Sequence, residues 1–232
     1  MWLLSIKGLK VTDKLTKKHN DKLAIEKETE LLINNTKEIT FSHYPGLEKE
    51  LAIGYLKSKQ IESLSSDIKV QGNKLLVNVN VSSYNNRPLT PSKEKTHWSK
   101  IFQLTAFFQE KALLFKETAI TESAAIASED ELLTFSEDLH QINSLYKCIG
   151  LLMENNLSKK AKILLISSKI DKETVVLAQK LNIFIIISRI APTSLAKKHA
   201  EENNMCLIGF ARGKKYTVYC NEYMITYPRP KK

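Results

Sequence analysis

The feature that most constrains this chain is the unbroken run from Ile185 to Cys220, IIISRIAPTSLAKKHAEENNMCLIGFARGKKYTVYC. A short β-branched stretch, a turn with Pro192, an apolar–polar stretch at helical spacing, a second apolar run and a glycine-bearing basic turn follow one another without a spacer. That order reads as strand, turn, helix, strand, hairpin, strand. Ile183–Ile187 is too short to span a bilayer and fits a strand covered on both faces. Upstream, Lys162–Ser167 reads as a strand, Asp171 as the cap of a helix running to Leu181, and Pro192–Glu202 as a further helix. Strands alternating with helices predict a layered α/β domain.

The rest of the chain is less regular. Residues 1–22 are polar and rich in lysine, which predicts a mobile basic arm. Leu23–Asn34 predicts a strand, Asn34-Asn35 a turn, and Ile39–Ser42 its partner. Pro45 is expected to open a helix through Ser58, with Leu47, Leu51 and Tyr55 on one face. Ile68–Val81 predicts a hairpin around Gln71-Gly72-Asn73. Tyr84–Trp98, with Pro88, Pro91, Asn85 and Asn86, reads as a linker. The expected organisation is therefore an arm (1–22), a small N-terminal α+β domain with its linker (23–98), and a larger α/β domain (99–232). In the last, Ser99–Leu114 is expected to be helical, and Ser123–Ala127 and Glu131–Phe135 are short strands. Ser136 is expected to precede a helix with Leu139, Ile142, Leu145, Ile149 and Leu152 as its apolar stripe.

Composition narrows the function classes. The chain has 232 residues, 43% hydrophobic and 26% charged, which reads as soluble and globular. Lys7, Lys10 and Lys14 interrupt the apolar start too early for a secretory signal, and the cytoplasm is the expected compartment. Cys148, Cys206 and Cys220 are odd in number and widely spaced, which argues against a disulfide framework or a zinc site of the usual spacing. The net charge of +10 is nearly all lysine, with arginine only at 87, 189, 212 and 229. Lysine is the poorer reader of phosphates and base edges, so a solvated surface is favoured over a nucleic-acid face. No Walker loop, GxGxxG or GxSxG occurs.

Three places could carry chemistry. Phe210-Ala211-Arg212-Gly213-Lys214-Lys215 puts three cations around a glycine between two strands, suited to phosphate or guanine, although an ordinary basic hairpin has the same composition. Ala191–Ser194 enters a helix, whose free N–H groups attract anions. His140 beside Glu137 has the spacing of an acid–base pair, while Glu137-Asp138 also fits carboxylates placed for a helix dipole.

Several segments together resemble the FdhD family of sulfur carriers, formate dehydrogenase accessory proteins. Glu26, Leu32, Ile33 and Asn34 match its opening strand, and Leu47, Leu51, Ala52, Gly54, Tyr55 and Leu56 its first helix. Glu137, Asp138, Asn143, Lys147 and Gly150 match parts of its E-D-V-G-R-H-N-A-x-D-K-x-x-G motif, with His140, Gln141, Ile142 and Tyr146 departing from it. Ser167-Ser168-Lys169 stands at its Ser-Gly-Arg, and Thr118–Glu122 at its T-G-G-x-H. The resemblance implies a cytidine-deaminase-like fold for the second domain, without deaminase chemistry, and a homodimer. It implies delivery of sulfur to molybdenum bis(molybdopterin guanine dinucleotide), with a formate dehydrogenase apo-enzyme and a cysteine desulfurase as partners and the turn at 210–215 as a cofactor or guanine nucleotide contact. The family's persulfide cysteine has no counterpart in Arg87–Trp98. A binding module derived from the fold, acting on a nucleotide or a protein without sulfur transfer, is the alternative.

Overall fold

A computed structural model of the chain describes residues 1–61, 67–79 and 95–228. The linker expected at 84–98 therefore lies mostly outside the described residues. The expected mobile arm carries regular structure instead: β1 (Leu3–Val11) and β2 (Thr16–Ala24) pair antiparallel as a separate two-stranded ribbon. Composition rich in lysine hides the strands, and cross-strand pairing of Leu3–Val11 with Thr16–Ala24 forms them.

β3 (Lys27–Ile33) and β4 (Thr36–His43) form the expected hairpin through Asn34 and Asn35, both at positive φ. Helix α1 (Glu48–Ser58) starts three residues after Pro45, because Leu47 adopts a left-handed conformation and becomes the N-cap. β5 (Ile68–Gln71) and β6 (Lys74–Val77) pair around the expected turn. The four strands make one sheet in the order β4-β3-β6-β5, with β3 and β6 parallel.

The second half contains β7 (Thr96–His97), α2 (Trp98–Lys111), α3 (Leu113–Thr118), β8 (Glu122–Ala127), β9 (Leu132–Asp138), α4 (Gln141–Glu154), β10 (Ile163–Ile166), α5 (Lys172–Lys180), β11 (Ile185–Ser188), α6 (Ser194–Glu202), β12 (Cys206–Arg212), β13 (Lys215–Cys220) and β14 (Ile225–Thr226). Six of these strands form a mixed sheet, β13-β12-β11-β10-β8-β9, in which β10, β11 and β12 run parallel. Every residue of β10 and β11 is buried, as their unbroken aliphatic runs require. Asp171 caps α5 by accepting from Thr174 N–H at 3.0 Å. The helix expected from Ser136 begins instead at Gln141. Ser136, Glu137 and Asp138 belong to β9, where Thr134, Ser136 and Asp138 alternate as buried positions.

One hydrophobic core runs through both halves. Helices α1 and α4 cross at two glycines that sit against backbone. A Cβ on Gly54 would lie 1.9 Å from Tyr146 O, and one on Gly150 2.1 Å from Glu50 O. A buried polar cluster lies beside the crossing. Lys147 Nζ pairs with Asp138 Oδ2 at 2.6 Å and donates to Tyr44 O at 2.6 Å. Asn143 Nδ2 donates to Ser42 O at 2.7 Å. The β4 end of the first sheet is thereby fixed to the β9–α4 corner, which borders the cleft described next. Among the described residues no helix is long and apolar enough to cross a membrane.

Candidate functional site

Parallel strands end together, and the loops that leave them form a crevice at that edge of the sheet. Here Ser167 and Ser168 follow β10, Arg189 and Ile190 follow β11, Arg212 ends β12, and Thr121, Glu122 and Ser123 open the antiparallel β8 at the same edge. With Phe108, Ala112, Phe115 and Ile120 from the α2–α3 region they enclose a cleft of about 320 Å³. Gly209 permits the close approach of the β11–α6 loop, because a Cβ there would lie 2.8 Å from Ile190 O.

The cleft is cationic without being neutralised from within. Arg189 is half-buried, and its Nε is buried with no hydrogen-bond partner among the described residues. Burial, and then repulsion from Arg212, hold its guanidinium below the ordinary value. Neither arginine is ion-paired among the described residues, although one carboxylate, Glu122, also lines the cleft. A buried guanidinium N–H without an acceptor is costly. Two guanidiniums at one mouth repel, and an anion between them relieves both costs.

The walls are held by side chains. Gln141, the first residue of α4, accepts through Oε1 from Ser168 Oγ at 2.9 Å and Ser168 N–H at 3.3 Å. Its Nε2 donates to Ser123 O at 3.2 Å. Ser188 Oγ donates to Ser168 O, and Ile190 N–H donates to Ser188 Oγ at 2.9 Å. Glu137 accepts from Leu114 N–H and Phe115 N–H, each at 2.8 Å, and from Thr121 Oγ1 at 3.2 Å. It thus serves a helix start, as carboxylates at such positions do, but that of α3 rather than of its own segment.

The structure sorts the residues singled out from the sequence. Of the turn at 210–215, Arg212 lines the cleft. Ala211 is buried, Phe210 is about half exposed at positive φ, and Gly213, Lys214 and Lys215 are exposed outside the lining. Ala191–Ser194 lies directly after Ile190, but Thr193 caps α6 itself, accepting from Ala196 N–H at 3.2 Å. His140 is exposed and its side chain makes no capping bond, while Glu137 is committed to α3, so the two do not form an acid–base pair. Sequence reasoning missed Arg189, Ser168 and Gln141 as neighbours of Arg212. The usable signal was the Ser-Arg at the end of the most buried strand, since strand ends in such sheets carry ligand contacts.

All three cysteines are buried. Burial pushes the Cys148 thiol up to about 12 and raises those of Cys206 and Cys220 as well. None of them is a thiolate at neutral pH, the state that sulfur uptake requires. Among the described residues no cluster of histidine, cysteine or carboxylate side chains could hold a metal ion.

Comparison with known proteins follows the same outline. Over residues 71–226 the chain matches the model of the FdhD/NarQ family. It is 33% identical over 124 residues to the sulfur carrier protein FdhD of Bacillus pumilus, covering 53% of this chain and 47% of that protein. It is 34% identical over 148 residues to that of Listeria monocytogenes, covering 64% and 54%. The matches take in about half the length of these curated relatives. A crystal structure from Desulfotalea psychrophila, provisionally described as a formate dehydrogenase accessory protein, superposes with a TM-score of 0.84 over 97% of this chain and 100% of the other, at 16% identity; at that identity the likeness speaks for the fold alone. With two thirds of its length matched by the family model, the chain belongs to the FdhD/NarQ family.

Proposed function

We propose that this chain is an accessory protein for formate dehydrogenase that binds the guanine nucleotide end of the molybdenum bis(molybdopterin guanine dinucleotide) cofactor in the cleft at the sheet edge. The unpartnered, buried Nε of Arg189 beside Arg212 carries this reading. The fit is to one nucleotide arm: a space of about 320 Å³ is at the small end of ligand sites, well short of the whole cofactor. Arg189 and Arg212 would take the phosphates. Phe108, Phe115, Ile120 and Ile190 offer faces for the ring system, and Ser168, fixed by Gln141, sets one wall. Lys214 and Lys215, exposed beside Arg212, add positive potential along the approach rather than contacts within the cleft. The metal centre, when the cofactor is bound, supplies the sulfur-accepting chemistry. This chain's residues bind and orient the nucleotide end.

The buried cysteines favour binding and presentation over persulfide carriage by this chain itself. The apo-enzyme is its proposed client, with a cysteine desulfurase serving the same pathway. The family resemblance further suggests a homodimer and a cytidine-deaminase-like second domain.

Calorimetry with guanosine diphosphate tests the site. Each charge-assisted phosphate contact is worth roughly 1 kcal/mol after solvent screening. Arg189→Ala/Arg212→Ala should therefore weaken binding by about tenfold or more. No binding at millimolar nucleotide by the unaltered chain, or equal binding by the double variant, would refute the assignment.

A further inference from the structure

The β1–β2 ribbon is attached to the body at its base. Trp2 N–H donates to the Tyr44 hydroxyl, and Lys22 pairs with Glu117 on α3 at 2.6 Å. Beyond that, residues 9–23 are all exposed. A two-stranded ribbon standing by itself is marginal in water. This one nevertheless leaves Leu4, Leu9, Val11 and Leu15 each more than half exposed. Strand β1 pairs with β2 alone, so the backbone groups along its outer edge have no strand partner among the described residues.

We propose that the outer edge of β1 is a docking strand that pairs with an acidic, extended segment of the client enzyme. The inference rests on the accessory-protein reading above. Its first support is charge: residues 1–24 hold six lysines against two aspartates, and β1 itself carries Lys7 and Lys10 with no carboxylate. Backbone bonds along an open edge give affinity, and alternate side chains select the partner. Here the selection is for aliphatic side chains opposite Leu4, Leu9 and Val11, and for carboxylates opposite the lysines. The same lysines disfavour a second copy, because pairing two β1 edges would bring like charges together. A bilayer is disfavoured because open backbone edges stay unsatisfied in hydrocarbon. Nucleic acid is disfavoured because the ribbon has no arginine and Trp2 is its sole large aromatic. Position is the second support. The ribbon is anchored through Lys22 of β2 to α3, which leaves the outer edge of β1, on the far side of β2, open to a partner.

The test measures binding of purified apo-formate dehydrogenase to the full chain by biolayer interferometry at two salt concentrations. Guanosine diphosphate affinity is measured on the same samples. The variant is Lys7→Glu/Lys10→Glu. It leaves the ribbon intact, because position 10 faces Lys17 and position 7 faces Asn20 across the strands. The expected result is salt-sensitive binding that weakens at least tenfold in the variant while nucleotide affinity is unchanged. Equal binding by the variant overturns the docking strand and leaves the client reading standing. No binding by the unaltered chain overturns both, and the nucleotide measurement reports separately on the cleft. Binding to phosphatidylserine-containing vesicles that is lost in the variant, with no effect on the apo-enzyme, also overturns the proposal in favour of a membrane contact.

Discussion

Replacing Lys147 by methionine should be among the most damaging single changes away from the cleft. The ammonium group is 2.6 Å from Asp138 Oδ2 and 2.6 Å from Tyr44 O, and the lysine and aspartate side chains are 2% and 0% exposed. Methionine fills much of the space but leaves Asp138 as a buried charge. Leu139 N–H and Asn143 Nδ2 still donate to its Oδ1, while Oδ2 loses its cation. Breaking one side of a buried pair costs about 3–5 kcal/mol, while Tyr44 O keeps its bond from His43 Nδ1 at 2.9 Å. At about 2–4 °C per kcal/mol for a chain of this size, the melting temperature should fall by roughly 6–20 °C. Adding Asp138→Asn removes the stranded charge, so the double variant should recover about 2 kcal/mol relative to the sum of the single changes. Urea unfolding of all four proteins measures this directly. A loss below about 1 kcal/mol for Lys147→Met, or strict additivity in the cycle, would refute the claim that this pair fixes β4 to the β9–α4 corner.

Other expectations are quicker to check. Gly54→Ala and Gly150→Ala each place a methyl group within about 2 Å of backbone that no rotamer change can clear; each should cost more than about 3 kcal/mol or prevent folding, read by circular dichroism and soluble yield. Iodoacetamide should leave Cys148, Cys206 and Cys220 unmodified in the native chain and label all three in urea, by intact mass, because burial keeps the thiols protonated. His43 is held below its ordinary value of 6.5 by burial, so the unfolded chain binds the extra proton first. Its contribution should be intact above about pH 6.5 and lost as pH falls toward its depressed folded value; His43→Gln should flatten that part of the stability profile.

The legible parts of the fold were those where local chemistry and tertiary environment agree. The aliphatic run at 183–188, the Asp171 cap and the 71–73 turn all act over a few residues and came through. Expectations failed where a distant partner decides. Ser136–Asp138 looks like a helix start, but Glu137 reaches across to α3 and Asp138 to Lys147, which keeps the segment in β9. Proline at 45 and 192 marked the approach to a helix, while Leu47 and Thr193 set its first turn. The same division runs through the family motif: Gly150 sits at the α1–α4 crossing and Asn143 and Lys147 tie α4 to the end of β4, whereas Gln141, a departure from the motif, reaches the cleft wall. Arg189 follows β11 and Arg212 ends β12, and their convergence depends on the parallel order of those two strands.

Hydrogen exchange with and without guanosine diphosphate tests the central claim most directly. Nucleotide bound between Arg189 and Arg212 should slow exchange at 167–168, 189–191 and 210–213, with no change around the second cavity, of about 420 Å³, lined by Lys159, Lys162 and Phe184. Protection at that second cavity alone, or at neither place under saturating nucleotide, would contradict it.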